Sequence, residues 1–257
     1  MEKLKISVDN KVQTIVIDNP PANSLDSQTI RELEQVLVAA ENDSGIKAII
    51  ITGVGKFFIA GADIHAFATI DKKEPAKQFS EQGQRFMDRI ESLSKPVIAQ
   101  INGYCLGGGL ELAMACHVRV ASETARLGLP ELHLGIIPGY GGSQRLPRLT
   151  NQGKATELIL TGEMIDGREA LNIGLVSKAV PSDELGEVVR QLAGKMVDKS
   201  LPAIAAALKV LRQGLKEGMR VGLASEADAF GQRFESEDAK EGIQAFIEKR
   251  VPDFKDR

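Results

Sequence analysis

An α/β fold of parallel strand–helix units, closed by a helical C-terminal region, is what this sequence predicts. Two observations carry that reading. Short β-prone runs alternate with helix-periodic segments through the first half of the 257 residues, the pattern of strands and helices that share a parallel sheet. From about residue 185 to about residue 250 the alternation stops and the apolar spacing is helical almost throughout.

Lys3–Val8 and Val12–Ile17 read as two strands joined by the turn residues Asp9, Asn10 and Lys11. Asp26 has the chemistry of an N-cap, and Ile30, Leu33, Val36, Leu37 and Ala40 follow at helical spacing. Lys47–Thr52 and Pro96–Ile101 are short apolar runs of the buried-strand type, with the helical segment Pro75–Leu93 between them. Gly107–Cys116 reads as a short, mostly apolar helix. Farther on, Leu185, Val188, Val189, Leu192 and Met196 trace one helix face. Pro202 opens an Ala-rich helix, Phe230 and Phe234 lie one turn apart on a third, and Ser236 caps a fourth.

Composition excludes several functional classes. Lys+Arg is 32 against Asp+Glu 35, a net charge of −3, which lacks the cationic footprint of a nucleic-acid binder. Two Cys and three His leave no disulfide framework, and their spacing fits no zinc site. No apolar run approaches the ~18 residues of a membrane span, and the N-terminus lacks a signal-peptide core. The expectation is a cytoplasmic protein without membrane or nucleic-acid partners.

Four stretches carry glycine where chemistry can enter. Gly53-Val54-Gly55-Lys56 is only superficially a phosphate loop, since Phe57 stands where Ser or Thr is required. The others are Phe58-Ile59-Ala60-Gly61-Ala62-Asp63-Ile64, Asn102-Gly103 through Gly107-Gly108-Gly109 to Glu111, and Pro138-Gly139 through Ser143-Gln144-Arg145. In the third, a strand ends and glycines open a helix. The first N–H groups of a helix have no internal partner, and a ligand can approach them where no side chain intervenes. The positive end of the helix favours an oxyanion there. The same glycines equally permit tight helix–sheet packing, with Glu111 a first-turn acid.

Taken in order with Leu129-Pro130-Glu131 and the late Glu241-Gly242 to Arg250 segment, these stretches resemble the enoyl-CoA hydratase/isomerase (crotonase) superfamily over nearly the whole chain. The resemblance implies a spiral of repeated ββα units over residues 1–190 and a helical region over 191–257 that oligomerises and covers the coenzyme A site. It implies that the backbone N–H groups of Ala60 and Gly108 polarise an acyl-CoA thioester carbonyl. It implies Glu111 as the base that activates water and Glu131 as the acid that protonates Cα, with the Gly139 backbone helping to hold the water. Ala60, Gly61, Ala62, Asp63 and Ile64 would face the adenine end of coenzyme A, and Phe230, Phe246 and Lys249 would cover it, often from a neighbouring subunit. Those last three also read as two core phenylalanines and a solvated lysine.

The implied reaction is hydration of a trans-2-enoyl-CoA in fatty acid metabolism by a homohexameric lyase. Coenzyme A is part of the substrate, so no separate cofactor and no metal is expected. A Δ3-Δ2-enoyl-CoA isomerase is the alternative in the same fold, disfavoured because both glutamates are present. A non-catalytic RNA-binding or scaffold relative is disfavoured by the acidic balance, by two Tyr with no Trp and by a site with no missing element. Ile70–Phe86 is expected to include a wall of the acyl pocket. His65 and His133 flank the motifs without ligand spacing, and Cys105 reads as a small buried hydrophobe.

Overall fold

The computed structural model describes residues 1–63, 68 and 70–257. β1 (Leu4–Asp9) and β2 (Val12–Ile17) pair as an antiparallel hairpin. Asn10 and Lys11 form its turn with φ of 48° and 65°, the left-handed pair that matches the twist of a two-residue hairpin. α1 (Ser27–Asn42) is capped as its sequence indicates, with the Asp26 carboxylate accepting from the Thr29 N–H at 2.7 Å. Its Leu33, Val36, Leu37 and Ala40 are buried.

The chain then repeats one unit. β3 (Ala48–Gly53) and β4 (Phe57–Ile59) lead to α2 (Lys73–Glu91). β5 (Val97–Ile101) and β6 (Tyr104–Leu106) lead to α3 (Gly108–Ala115). β7 (Val118–Ser122) and β8 (Arg126–Gly128) lead to a 3₁₀ helix, Pro130–Leu134. With β9 (Ile165–Asp166) and β10 (Lys178–Val180), the strands form a six-stranded sheet, β1-β2-β3-β5-β7-β10, and a four-stranded sheet, β4-β6-β8-β9. Within each repeat the first strand joins the larger sheet and the second joins the smaller one. The pairings β3–β5, β5–β7, β4–β6 and β6–β8 are all parallel. Each turn thus lies on the one before it, and the expected spiral of ββα units is the observed architecture.

The corners between the two sheets are built from backbone. A Cβ on Gly103, between β5 and β6, would stand 2.0 Å from the Lys56 carbonyl oxygen of the preceding turn. Asn102 locks the same corner. Its Oδ1 accepts from the Gly53 N–H at 3.2 Å, and its Nδ2 donates to the Gly55 carbonyl at 3.0 Å. The Asn-Gly pair is therefore a structural joint as well as a lead-in to the glycine-rich helix.

α4 (Gly142–Leu149), α5 (Gln152–Thr161) and α6 (Gly167–Asn172) follow the spiral. α7 (Leu185–Val197), α8 (Leu201–Glu217), α9 (Met219–Phe234) and α10 (Glu237–Glu248) complete ten helices among the described residues. α7 packs Leu185, Val189 and Ala193 against Ala48, Ile50, Ile98 and Val120 on the outer face of the larger sheet. The division expected at residue 190 falls inside this helix, so the helical region leaves the sheet only after Val197. The reason is that α7 buries one apolar face on the spiral.

Replacing Gly103 by Ala drives a methyl group into the Lys56 carbonyl and is expected to cost ~1–3 kcal/mol of stability, the scale of core overpacking. A thermal or urea melt of Gly103→Ala coinciding with the native melt would show that the corner is not close-packed.

Candidate active site

α3 runs through the interior, with every residue from Gly108 to Ala115 buried. Such a helix is apolar all round because no face meets water. Glu111, 2% exposed, is the exception. Its Oε1 accepts from the Tyr140 N–H at 2.8 Å and the Gly142 N–H at 2.7 Å. The motif around Pro138–Arg145 thereby contributes backbone donors to Glu111. At the other end of α3, the buried Arg119 guanidinium donates to the carbonyls of Cys116 at 2.7 Å, Ala113 at 3.3 Å and Leu175 at 2.8 Å. A cation on the terminal carbonyls complements the negative end of the helix, a role no sequence pattern indicates.

Glu111 and Glu131 line one cavity of about 400 Å³, with Ala60, Gly61, Ala62, Gly107, Gly108 and Gly139 also on its wall. Glu131 stands at the start of the 3₁₀ helix. Its Oε2 is buried and has no hydrogen-bond partner among the described residues. Gly107 has φ of 51°, and a Cβ there would lie 2.9 Å from Glu131 Oε1. Only glycine serves at this position, which caps α3 and lets the second carboxyl into the site. Burial raises the pKa of Glu131. Burial also pushes Glu111 up to about 7. The charge of Glu131 acts in the same direction, while the Gly142 and Tyr140 amides and the Arg145 guanidinium oppose it.

The structure redistributes the expected amide donors. The Ala60 N–H is already engaged, donating to the Ala22 carbonyl at 3.1 Å, so Ala60 is not a free donor. The reason lies in the chain path. The segment after β4 runs beside residues 22–25, where Leu25 also forms a bridge with Ala62. A Cβ on Gly108 would lie 3.3 Å from the Ala62 nitrogen, so Ala62 and Gly108 are the adjacent pair. Neither of their N–H groups has a protein acceptor among the described residues, and as the first helical residue Gly108 has none within α3. The sequence pattern marks the right stretch but not which of its amides is spent on folding.

Of the other expected site residues, Gly61 and Gly139 lie on the cavity and Asp63 does not. Ile64 and His65 lie outside the described residues. Ile70, Ala76, Phe79 and Ser80 form one cavity wall, within the segment assigned to the acyl pocket. Phe230 and Phe246 are 68% and 85% exposed, and Lys249 is an exposed helix cap. A single chain does not bring these three to the cavity. His133 turns away to the Thr161 carbonyl at 3.1 Å. His117 accepts from the Val97 N–H at 2.9 Å, and burial lowers its pKa to about 4. Cys105 is fully buried, which pushes its thiol pKa up.

Comparison with known proteins identifies the family. The family model for enoyl-CoA hydratase/isomerase matches residues 7–257. A probable enoyl-CoA hydratase of Bacillus subtilis is 51% identical over 99% of both chains. A short-chain-enoyl-CoA hydratase of Clostridium acetobutylicum is 43% identical over 97% of this chain and 96% of its own. The crystal structure of an enoyl-CoA hydratase from Bacillus anthracis superposes with a TM-score of 0.94 at 38% identity, covering 99% of this chain and 100% of that one. With the family model matching residues 7–257 and relatives of this name covering nearly its whole length, the chain belongs to the enoyl-CoA hydratase/isomerase family.

Proposed function

We propose that this protein is a hydro-lyase that adds water across the 2,3 double bond of a trans-2-enoyl-CoA. The observation that carries the proposal is the placement of Glu111 and Glu131 on one cavity beside the free N–H groups of Ala62 and Gly108. Hydration of a conjugated thioester needs what such a set supplies. The thioester oxygen accepts from the two amides. Glu111, ionised, takes a proton from water as the oxygen bonds to Cβ. The π electrons move through Cα to the thioester oxygen, which carries the charge of an enolate. Glu131, protonated, then delivers its proton to Cα as the carbonyl re-forms. Preorganised amides in an interior site stabilise that enolate without reorganising.

The surroundings of each carboxyl support this division of labour. Two amide hydrogen bonds to Glu111 Oε1 oppose the burial that pushes its pKa up to about 7, which leaves a base poised near neutrality. Glu131 Oε2 has no partner, and burial favours the neutral form, suiting an acid. The pair titrates as a unit. Activity falls as pH drops and the base is protonated, and falls again as pH rises and the acid is ionised, giving a bell-shaped profile. The Gly139 backbone, on the same wall, is available to hold the water.

The assembly proposed is a homohexamer. Leu215, Met219, Phe230, Phe234, Phe246 and Ile247 are 58–85% exposed on α8, α9 and α10, a concentration of apolar surface that marks an association face. Neighbouring copies would bring Phe230, Phe246 and Lys249 over the coenzyme A end of the cavity. Sedimentation of the purified protein is expected to give six copies, and a stable monomer at micromolar concentration would overturn the assembly.

Gly108→Pro deletes one free donor at the helix position that best tolerates proline and is expected to lower kcat by ~10²–10³-fold. A folded variant with near-native kcat would remove Gly108 from the reaction. Glu111→Gln and Glu131→Gln should each reduce hydration by ~10²–10⁴-fold. The double variant should lose far less than the product of the two, because groups acting on one water form a unit. Steady-state kinetics on crotonyl-CoA measure all three. Hydration surviving in Glu111→Gln but abolished in Glu131→Gln would instead favour a single-carboxyl isomerase.

A further inference from the structure

The turn that grips Glu111 is itself held at three successive carbonyls. The Gly139 carbonyl accepts from Ser80 Oγ at 2.6 Å and Gln84 Nε2 at 3.0 Å. The Tyr140 carbonyl accepts from Arg145 Nη1 at 3.0 Å. The Gly141 carbonyl accepts from the N–H groups of Gln144 at 3.1 Å and Arg145 at 2.9 Å. The guanidinium of Arg145 continues to Asp88 Oδ1 at 2.8 Å and Glu91 Oε2 at 3.0 Å. Ser80, Gln84, Asp88 and Glu91 are spaced four, four and three residues apart on α2, so they form one stripe along that helix. The peptide whose carbonyl Ser80 and Gln84 load is the one whose N–H points at Glu111. Bonds chained in this way strengthen one another.

We propose that Arg145 is a positioning residue for the hydration reaction. Its guanidinium ties the Gly139–Gly142 turn to α2, fixes the two amides that hold Glu111, and places a positive charge facing that carboxylate. The proposal rests on the function proposed above for Glu111. Arg145 itself lies behind the turn and is not on the cavity wall. Its side chain is 14% exposed, so its charge is weakly screened. Among the described residues, the titratable and charged groups facing Glu111 are Glu131 from the 3₁₀ helix, Tyr140 from the turn and Arg145 from α4, with Asp88 and Glu91 of α2 behind Arg145.

This role has a signature that simple loss of packing lacks. Removing the cation in Arg145→Gln raises the protonation midpoint of Glu111. Removing its counter-charges in Asp88→Asn/Glu91→Gln lowers that midpoint. Infrared titration of the protonated carboxyl band, with Glu111→Gln as the difference reference, reads both without substrate. The expected shifts are ~0.5–1 pH unit in opposite directions. Arg145→Lys keeps the charge and should leave the midpoint nearly native. In kinetics on crotonyl-CoA, Arg145→Gln should lower kcat by ~10–10²-fold with KM changed by less than about threefold, the cost of a misplaced base, and Arg145→Lys should recover part of the loss. A folded Arg145→Gln protein with a native midpoint, or shifts of the same sign in both variants, overturns the role. Should Arg145→Gln not fold, the Asp88→Asn/Glu91→Gln midpoint decides: a downward shift supports the proposal, and no shift overturns it. A native protein that titrates as described but does not hydrate enoyl-CoA refutes the proposed function and leaves Arg145 judged by the titration alone.

Discussion

Burying a carboxyl in the centre of an apolar helix is the constraint around which this molecule is arranged. Desolvation of an unpartnered carboxylate costs far more than a protein's net stability. Glu111 is 2% exposed and is held by two amides at 2.8 and 2.7 Å. Those amides must come from a turn with no freedom to drift. The turn is held by α2 through Ser80, Gln84 and Arg145, and α2 is held by the core through Phe86, Met87 and Ile90. Even the close fit of Tyr140 belongs to this chain of dependence. A Cβ on Gly83 of α2 would stand 2.0 Å from the Tyr140 ring, so the helix must be bare there for the turn to seat.

The spiral supplies the second requirement, a place where backbone N–H groups face a cavity. Most amides in a folded chain are spent on folding. Two near the cavity illustrate the difference. Ala60 donates to Ala22, because the chain leaving β4 lies against the preceding loop. Two residues on, Ala62 faces the opening of α3, where Gly108 has no turn of helix before it. A donor left free at the cavity is thus a by-product of where one strand ends and the next helix begins. Gly107 serves the same place differently, since its bare Cα admits the carboxyl of Glu131.

Two carboxyls in one cavity repel, and their surroundings differ. Backbone donors and Arg145 favour charge on Glu111, while Glu131 has a buried oxygen with no donor. Burial is nonetheless the largest influence on both and raises both, Glu111 to about 7. The exposed phenylalanines of α9 and α10 stand apart from this chemistry within one chain. In the proposed assembly, neighbouring copies would bring them to the cavity.

The sequence by itself determined the local elements. Asp26 and Ser236 cap the helices their positions imply, the Asn10-Lys11 turn forms its hairpin, and the glycine-rich run before Glu111 opens a helix inside the core. These features depend on capping chemistry, turn dihedrals and apolar period, all set within a few residues. The ordered motifs also carried the family and both glutamates. Tertiary structure alone decided that β4, β6, β8 and β9 make a second sheet, since strands of two or three residues show no period. It decided that α7 buries its apolar face on the larger sheet. It decided that Ala62, not Ala60, has the free amide, and that Arg145 reaches across to Asp88 and Glu91, 57 and 54 residues away in the chain. A hydrogen bond between distant segments leaves no periodic trace in either, so its presence is fixed only when the spiral closes.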